Sequence, residues 1–310
     1  MFQLRHILRS LALAAVVFGH GQGFGPGLAQ AQGRLDARYT VTLAGIPIGK
    51  GTWVIEISDT RYSAQATGET TGLMHAFTGG QGSTAARGVL QGGKPVSSVY
   101  AATIKTRKKT DEIRLSLDDG KVKETKLDPP LDDDKERVPL TEDVKRGVQD
   151  PMTATLVRVA GKGNPLSAEA CQRTLAVFDG RLRYDLQLAF KRVDFVKADK
   201  GYAGPVVVCA IYFSPVAGFN PSRSAIRYMS RMRDMEVWLA PIAGTRLLVP
   251  FRVQGPTPIG MAVMEADEFV AAAAPVVETT KASVKEAVKE STKNPAAPSQ
   301  APTAKNTKMP

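Results

Sequence analysis

Histidine is nearly absent from this chain. Of its 3 histidines, His6 and His20 fall in an N-terminal stretch with the form of a leader, so only His75 is left for catalysis or metal binding. One histidine and 2 cysteines cannot build a His-rich zinc site. A Ser-His-Asp arrangement would rest on His75 alone, and no nucleophile-elbow sequence is present. His75 lies in Thr71-Gly72-Leu73-Met74-His75-Ala76-Phe77, which reads as an apolar strand or turn. No metal and no cofactor are expected. No glycine-rich stretch has phosphate-binding spacing, since Gly88 to Gly93 lacks the lysine and hydroxyl that would follow. Aromatics make up 6% of the chain, too few for broad base-stacking platforms. No apolar run is long enough to span a membrane as a helix.

The N-terminus carries Arg5 and Arg9, an apolar run from Leu11 to Phe18, and a glycine-rich stretch ending Ala29-Gln30-Ala31. That order of positive, apolar and small-x-small segments predicts a secretory signal peptide over 1–31, cleaved after Ala31. The expected location is the periplasm. No cysteine follows the cleavage point to take a lipid anchor. In an oxidising compartment the only 2 cysteines, Cys171 and Cys209, read as one disulfide. Closing a loop of about 38 residues stabilises a fold by roughly 4 kcal/mol on the chain-entropy model. The formal net charge is +11. It overstates the folded part, because Arg5 and Arg9 leave with the leader and much of the excess lies in a lysine-bearing tail. A mildly basic exported domain suits an anionic surface such as lipid, lipopolysaccharide or peptidoglycan, with counter-charge for solubility the blander account, and export argues against nucleic acid as a partner.

Apolar residues recur with period two through most of the middle. Tyr39, Val41 and Leu43 and then Trp53, Ile55 and Ile57 mark two strands around Gly45-Ile46-Pro47-Ile48-Gly49, with a third through Tyr62, Ala64 and Ala66. Strands follow at 83–90, 95–105, 113–117 and 122–127, the last pair turning at Asp118-Asp119-Gly120. Asp128 to Leu140 lacks periodicity and reads as an exposed loop, with a possible subdivision of the domain near 128–150. Asp150-Pro151 offers a helix N-cap and first turn, with Met152, Leu156 and Val159 on one face and a stop at Gly161. Thr174–Phe178 and Leu182–Phe190 form a predicted hairpin whose turn, Asp179-Gly180, supplies positive φ angles. Cys171 and Cys209 are then expected on strands of one sheet. A second helix is predicted from Ser222 to Arg233, and strands at 235–239, 246–253 and 259–269. From 272 to 310 the chain is Ala, Pro, Lys, Thr and Ser, with too little apolar surface to offset the entropy of ordering.

The fold class expected from this is mainly β: a curved antiparallel sheet forming an open or spiral barrel, with one or two short helices, over 32–271. The concave apolar side of such a sheet can hold a lipid, and Met74, Phe77, Met229, Met232 and Trp238 are candidate liners, though each is more simply read as core. Arg223, Arg227 and Arg231 interleave with Ile226, Met229 and Met232 as a basic amphipathic surface. Glycoside hydrolysis needs only two facing carboxylates, and Asp179, Asp185, Asp194, Asp234, Glu236, Glu265 and Asp267 fall near strand ends. Spacing along the chain does not show which of them converge, and no residue is singled out as catalytic.

Tyr39-Thr40-Val41 with Gly45-Ile46-Pro47-Ile48-Gly49, the run Val177-Phe178-Asp179-Gly180-Arg181-Leu182-Arg183-Tyr184-Asp185-Leu186, and Met235-Glu236-Val237-Trp238-Leu239-Ala240-Pro241 with Leu248-Val249-Pro250-Phe251 are separated motifs. On these the chain resembles the exported bacterial proteins of domain-of-unknown-function family 3108, in their alphaproteobacterial form, over about Arg38 to Phe269. The resemblance implies a periplasmic β-rich protein without an established activity, and it brings no catalytic motif. In architecture alone the chain is similar to envelope-integrity proteins with a broken, spiral barrel and to lipoprotein carriers with open barrels. The reading is a non-enzymatic envelope protein that binds a lipid-like or glycan ligand or an envelope partner. The alternatives are a carboxylate-dependent hydrolase of envelope glycan and a purely structural scaffold.

Overall fold

The computed structural model describes residues 33–273; the expected leader and nearly all of the expected tail lie outside them. The first half is an up-and-down meander of β1 (Gly33–Leu43), β2 (Ile46–Ile57), β3 (Arg61–Thr70), β4 (Gln81–Gln91), β5 (Lys94–Lys105), β6 (Thr110–Asp118) and β7 (Lys121–Asp128). A short helix, α1 (Gly72–Thr78), interrupts it after β3. The second half holds α2 (Pro151–Ala154), β8 (Val157–Arg158), β9 (Arg173–Phe178), β10 (Arg183–Lys197), β11 (Lys200–Gly201), β12 (Ala203–Ala217), α3 (Ser224–Arg231), β13 (Met235–Pro241), β14 (Leu247–Thr257) and β15 (Gly260–Ala273). Among the described residues, no helix is long and apolar enough to cross a membrane.

All 15 strands among the described residues belong to one sheet. Its order is β7-β6-β5-β4-β3-β2-β1-β15-β14-β13-β12-β10-β9, with β8 beside β14 and β11 beside β15. Because β1 pairs with both β2 and β15, the first and last strands join the two halves. The sheet curls but does not close: β7 and β9 are its two ends. Residues 147–149 cross part of the gap. Val148 N–H donates to Gly120 O at 3.0 Å, Gln149 N–H to Ala176 O at 2.8 Å, and Phe178 N–H to Gln149 O at 2.9 Å. Curling at this radius needs close approaches on the inner face. The Tyr62 ring packs directly over Gly88, whose place no side chain could take without meeting Val96 O.

Burial explains the two kinds of strand pattern. In β1 to β7 one face is buried and the other wet, giving the alternation of Leu35, Ala37 and Tyr39 with polar residues. The runs Val206–Ala210, Val237–Ala240 and Leu247–Val249 are buried on both faces. Their inner side joins the main core with Phe178, Phe251 and Phe269. Their outer side forms a second cluster under the segment before β9, through Val157, Val159, Ala170, Cys171, Leu188 and Cys209. The disulfide lies in that second cluster, with Cα atoms 5.5 Å apart.

Several expectations change. Cys171 is not on a strand: it ends a 3-10 turn over Ala168–Ala170, so the bridge fastens a covering segment to β12 rather than one strand to another. The helix expected to reach Gly161 stops at Ala154, because Val157 and Arg158 pair with Leu248 and Leu247 and the sheet takes their backbone groups. Met152 and Leu156 are buried in the main core, whereas Val159 lies in the second cluster. The second helix is shorter than expected, and His75 lies on α1, exposed, not in a strand. The first hairpin turns at Ala44-Gly45, with φ 50 and 82, so Ile46 to Gly49 belong to β2. At Asp179-Gly180 only the glycine has positive φ, 98. The aspartate instead accepts Arg181 N–H and Leu182 N–H at 2.8 and 2.7 Å. The expected tail starts late, as β15 runs to Ala273.

Asp150 is fully buried where the crossing segment enters the interior. Its carboxylate caps α2 by accepting Thr153 N–H at 2.9 Å and also takes the hydroxyls of Ser97 and Thr153, while the Ser97 hydroxyl accepts Asp150 N–H at 3.1 Å. Burial pushes this carboxyl above the usual aspartate range, against the hydrogen bonds from Ser97 and Thr153. The folded state therefore holds the proton more tightly than the unfolded chain. The stability this contributes is full below the unfolded pKa and is lost as pH rises through the folded one.

Two outcomes are expected. Reducing the disulfide, or Cys171→Ser, should lower unfolding stability by about 2 to 4 kcal/mol in denaturant melts, with wild type under reductant matching the variant. Asp150→Asn keeps the capping acceptor, so relative to wild type it should gain stability as pH rises above about 4, where the aspartate of the unfolded chain ionises, while Asp150→Ala should cost about 1 to 3 kcal/mol throughout. Urea midpoints across pH measure both.

Candidate functional site

The open side of the curled sheet leaves a mouth of about 600 Å³. Its apolar wall comes from Ile104 on β5, Ile113 on β6, Leu131 in the long loop after β7, Leu182, Phe219, and Ile226 on α3. The β9–β10 turn forms one side because its tip presses on β6 and β7: a side chain at Gly180 would lie 2.8 Å from Ile113 and 3.2 Å from Leu127. The loop after β7 is held across the mouth by backbone pairing, Val138 N–H to Phe219 O and Gly218 N–H to Val138 O, each 2.8 Å.

Four cations, Lys109, Arg137, Arg181 and Arg223, stand at the rim against the carboxylates Asp111 and Asp132. Arg181 lies 3.4 Å from Asp111 and donates to Pro129 O at 3.1 Å. Arg137 pairs with Asp132 and donates to Gly218 O at 2.8 Å. Arg223 stands 3.8 Å from both Asp132 and Asp134, distances at which a guanidinium keeps much of its hydrogen-bonding capacity. The Asn220 amide holds the Asp134 carboxyl below its usual value, so Asp134 stays ionised beneath this arginine. Deeper in, burial raises the Asp179 carboxyl despite its two backbone donors. An apolar wall under a net cationic rim can take a chain with an anionic head.

A second concavity of about 730 Å³ lies on the outer face of β1 to β5. Thr52, Thr67, Ser83 and Thr103 face one another across successive strands, with Thr52 and Thr67 hydroxyls 2.8 Å apart. Lys50 pairs with Glu69 at 3.0 Å beside them. This groove is hydroxyl-rich and no aliphatic side chain is among its lining residues.

The candidate liners are not brought together. Met74 is exposed on α1, and the side chain of Phe77 lies outside the described residues. Met232 packs with Met235 over Gly255, and Met229 is half-buried on α3. Trp238 is buried in β13, donating to Asp194 at 3.0 Å beneath the guanidiniums of Arg192 and Arg252. None of the four whose side chains are described lines the mouth. Of the basic surface, Arg223 reaches the rim, while Arg227 and Arg231 line a different hollow beside Tyr228 and Met232.

The carboxylates near strand ends are mostly engaged. Asp185 pairs with Arg183 at 2.7 Å. The Trp238 indole lowers Asp194. Burial alone would raise Glu236, but hydrogen bonds from Lys191 and Arg192 outweigh it and leave it lowered. Arg181, Ile104 and Ile113 were not singled out as site residues from the sequence. The one signal was the polar Arg181 directly after a tight turn, and nothing local says where that turn docks.

No curated protein matches the chain. Among solved structures, the crystal structure of a beta-barrel-like protein of domain of unknown function DUF1849 from Brucella abortus is similar at 13% identity and a TM-score of 0.41, covering 78% of this chain and 98% of that one. A family model described as "Protein of unknown function (DUF3108)" matches residues 38–267, from the middle of β1 to late β15 and so including every residue of the mouth, and the chain belongs to that family.

Proposed function

We propose that this is an exported, non-catalytic protein of the cell envelope that receives an anionic amphiphile at the mouth of its open barrel. The observation that carries the reading is that one mouth is lined both by the apolar Ile104, Ile113 and Leu182 and by the cations Arg137, Arg181 and Arg223. The acyl part would be removed from water on the wall, and each buried methylene contributes about 0.8 kcal/mol. The head group would exchange water for guanidinium hydrogen bonds, which are stronger when charge-assisted. Lipid, including the lipid part of lipopolysaccharide, has this chemistry.

Export is supported by the leader pattern of residues 1–31 and by a disulfide that uses both cysteines of the chain, a bond that persists in oxidising compartments. A hydrolytic role is disfavoured by carboxylates tied to Arg183, Trp238 and Lys191. The hydroxyl row of the outer groove favours a second reading, a glycan chain lying across β2 to β5.

Native mass spectrometry of protein purified without detergent, mixed with laurate or with dodecyl maltoside, tests the first reading. Laurate should be retained and dodecyl maltoside, with the same chain but no charge, should bind more weakly. Ile104→Asp and Arg181→Gln should each weaken laurate by about tenfold or more, equivalent to about 1.4 kcal/mol. Failure of laurate to bind, or equal binding by Ile104→Asp, would refute the reading. Export is checked separately: the protein recovered from a periplasmic fraction should begin at Gln32.

A further inference from the structure

The two ends of the strand order are guarded differently. β7 carries Lys121, Lys123, Glu124, Lys126 and Asp128, the charge pattern that discourages edge-to-edge pairing. The outer edge of β9 is partly occupied by Gln149. One further stretch of edge exists, because β10 is longer than its neighbour: β9 pairs only with Arg183 to Leu188, while β12 pairs with β10 as far as Lys197. From Ala189 to Lys197, β10 has a strand on one side only among the described residues. This stretch exposes Phe190 at 42%, Val193 at 52% and Phe195 at 67%. Val193 stands opposite Val207, part of the second apolar cluster, so that cluster runs out to an open edge.

We propose that this stretch is a homodimer interface, in which β10 pairs antiparallel with β10 of a second copy about a two-fold axis at Val193. The sequence Lys191-Arg192-Val193-Asp194-Phe195 is self-complementary in that register. Val193 faces its own copy, and Arg192 of each chain, which already lies 3.3 Å from Glu236 of its own chain, faces Asp194 of the other, giving two symmetry-related ion pairs. Phe195 of each chain faces the aliphatic stem of Lys191 of the other. Shifting the centre to Asp194 would set two carboxylates against each other, so charge selects this register over that one.

The side chain of Asp194 also explains how the edge stays soluble when unpaired. Asp194 Oδ1 accepts the N–H of Phe195 at 2.8 Å, covering one outward amide of the free edge, and Arg192 lies 3.7 Å away. In the dimer the partner's Arg192 draws off that carboxylate and frees the Phe195 amide for strand pairing. The second copy thereby extends the sheet through its backbone and continues the apolar cluster through Val193 and Phe195.

Sedimentation velocity on the mature chain, from on the order of 1 to 100 μM, tests this. Wild type should shift from monomer to dimer over that range. Val193→Lys, which sets two like charges face to face on the axis at a half-exposed position, should weaken the dissociation constant at least tenfold while its thermal melt stays close to wild type. Glu124→Lys on β7 should leave association unchanged. A wild type that stays monomeric throughout overturns the proposal, as does a dimer that Val193→Lys leaves intact.

Discussion

A sheet that curls without closing must do something with two rows of backbone donors and acceptors, and most of this structure follows from how that is done. Unpaired amides and carbonyls are tolerated only where water, a side chain or another segment reaches them. Here residues 147–149 leave the long loop to bind Gly120 on one side and Ala176 and Phe178 on the other. The partial seal has to turn inward, and Asp150 follows at the point where the chain enters the core. A buried carboxylate there is tolerated because three donors converge on it, the hydroxyls of Ser97 and Thr153 and the Thr153 N–H, at the entrance to the first helical turn.

The incomplete seal also determines where a ligand can enter. Below the crossing segment the β9–β10 turn fills the gap against Ile113 and Leu127, and beyond the turn the gap stays open as the mouth. The arginines at that mouth come from parts far apart in the chain, Arg137 from the long loop, Arg181 from the turn and Arg223 from the entry to α3. The same loop that spans the gap therefore also supplies Arg137 and Asp132 to the rim. On the far side, the second apolar cluster and the disulfide hold the segment before β9 against β12, and β9 is short because its chain is committed to that cover until Arg173. The free stretch of β10 is a consequence of that shortness.

Much of the fold was legible. Alternation located the meander strands, because each has one wet face, and continuous apolar runs marked β12 to β14, buried on both. The helix after Asp150 was overread: its cap is real, yet Val157 and Arg158 within the same run serve a strand pairing with Leu248 and Leu247 that local pattern cannot reveal. The candidate liners are large apolar side chains, and the same property sends Met232 and Trp238 into the core. The mouth instead uses Ile104, an ordinary strand residue left half-exposed because the neighbouring edge does not close over it.

By itself, the sequence determined the β class, the disulfide partners and the positions of most strands, since period, turn chemistry and a count of 2 cysteines are properties of neighbouring residues or of composition. Only the tertiary structure decided which strands became edges, that Cys171 lies off the sheet, and that Arg137, Arg181 and Arg223 share one rim. Those outcomes depend on the strand order, in which β1 meets β15 and β9 is left at the end. Strand order is set by the summed packing of residues more than two hundred positions apart, such as Leu35 and Phe269, and no local pattern carries it.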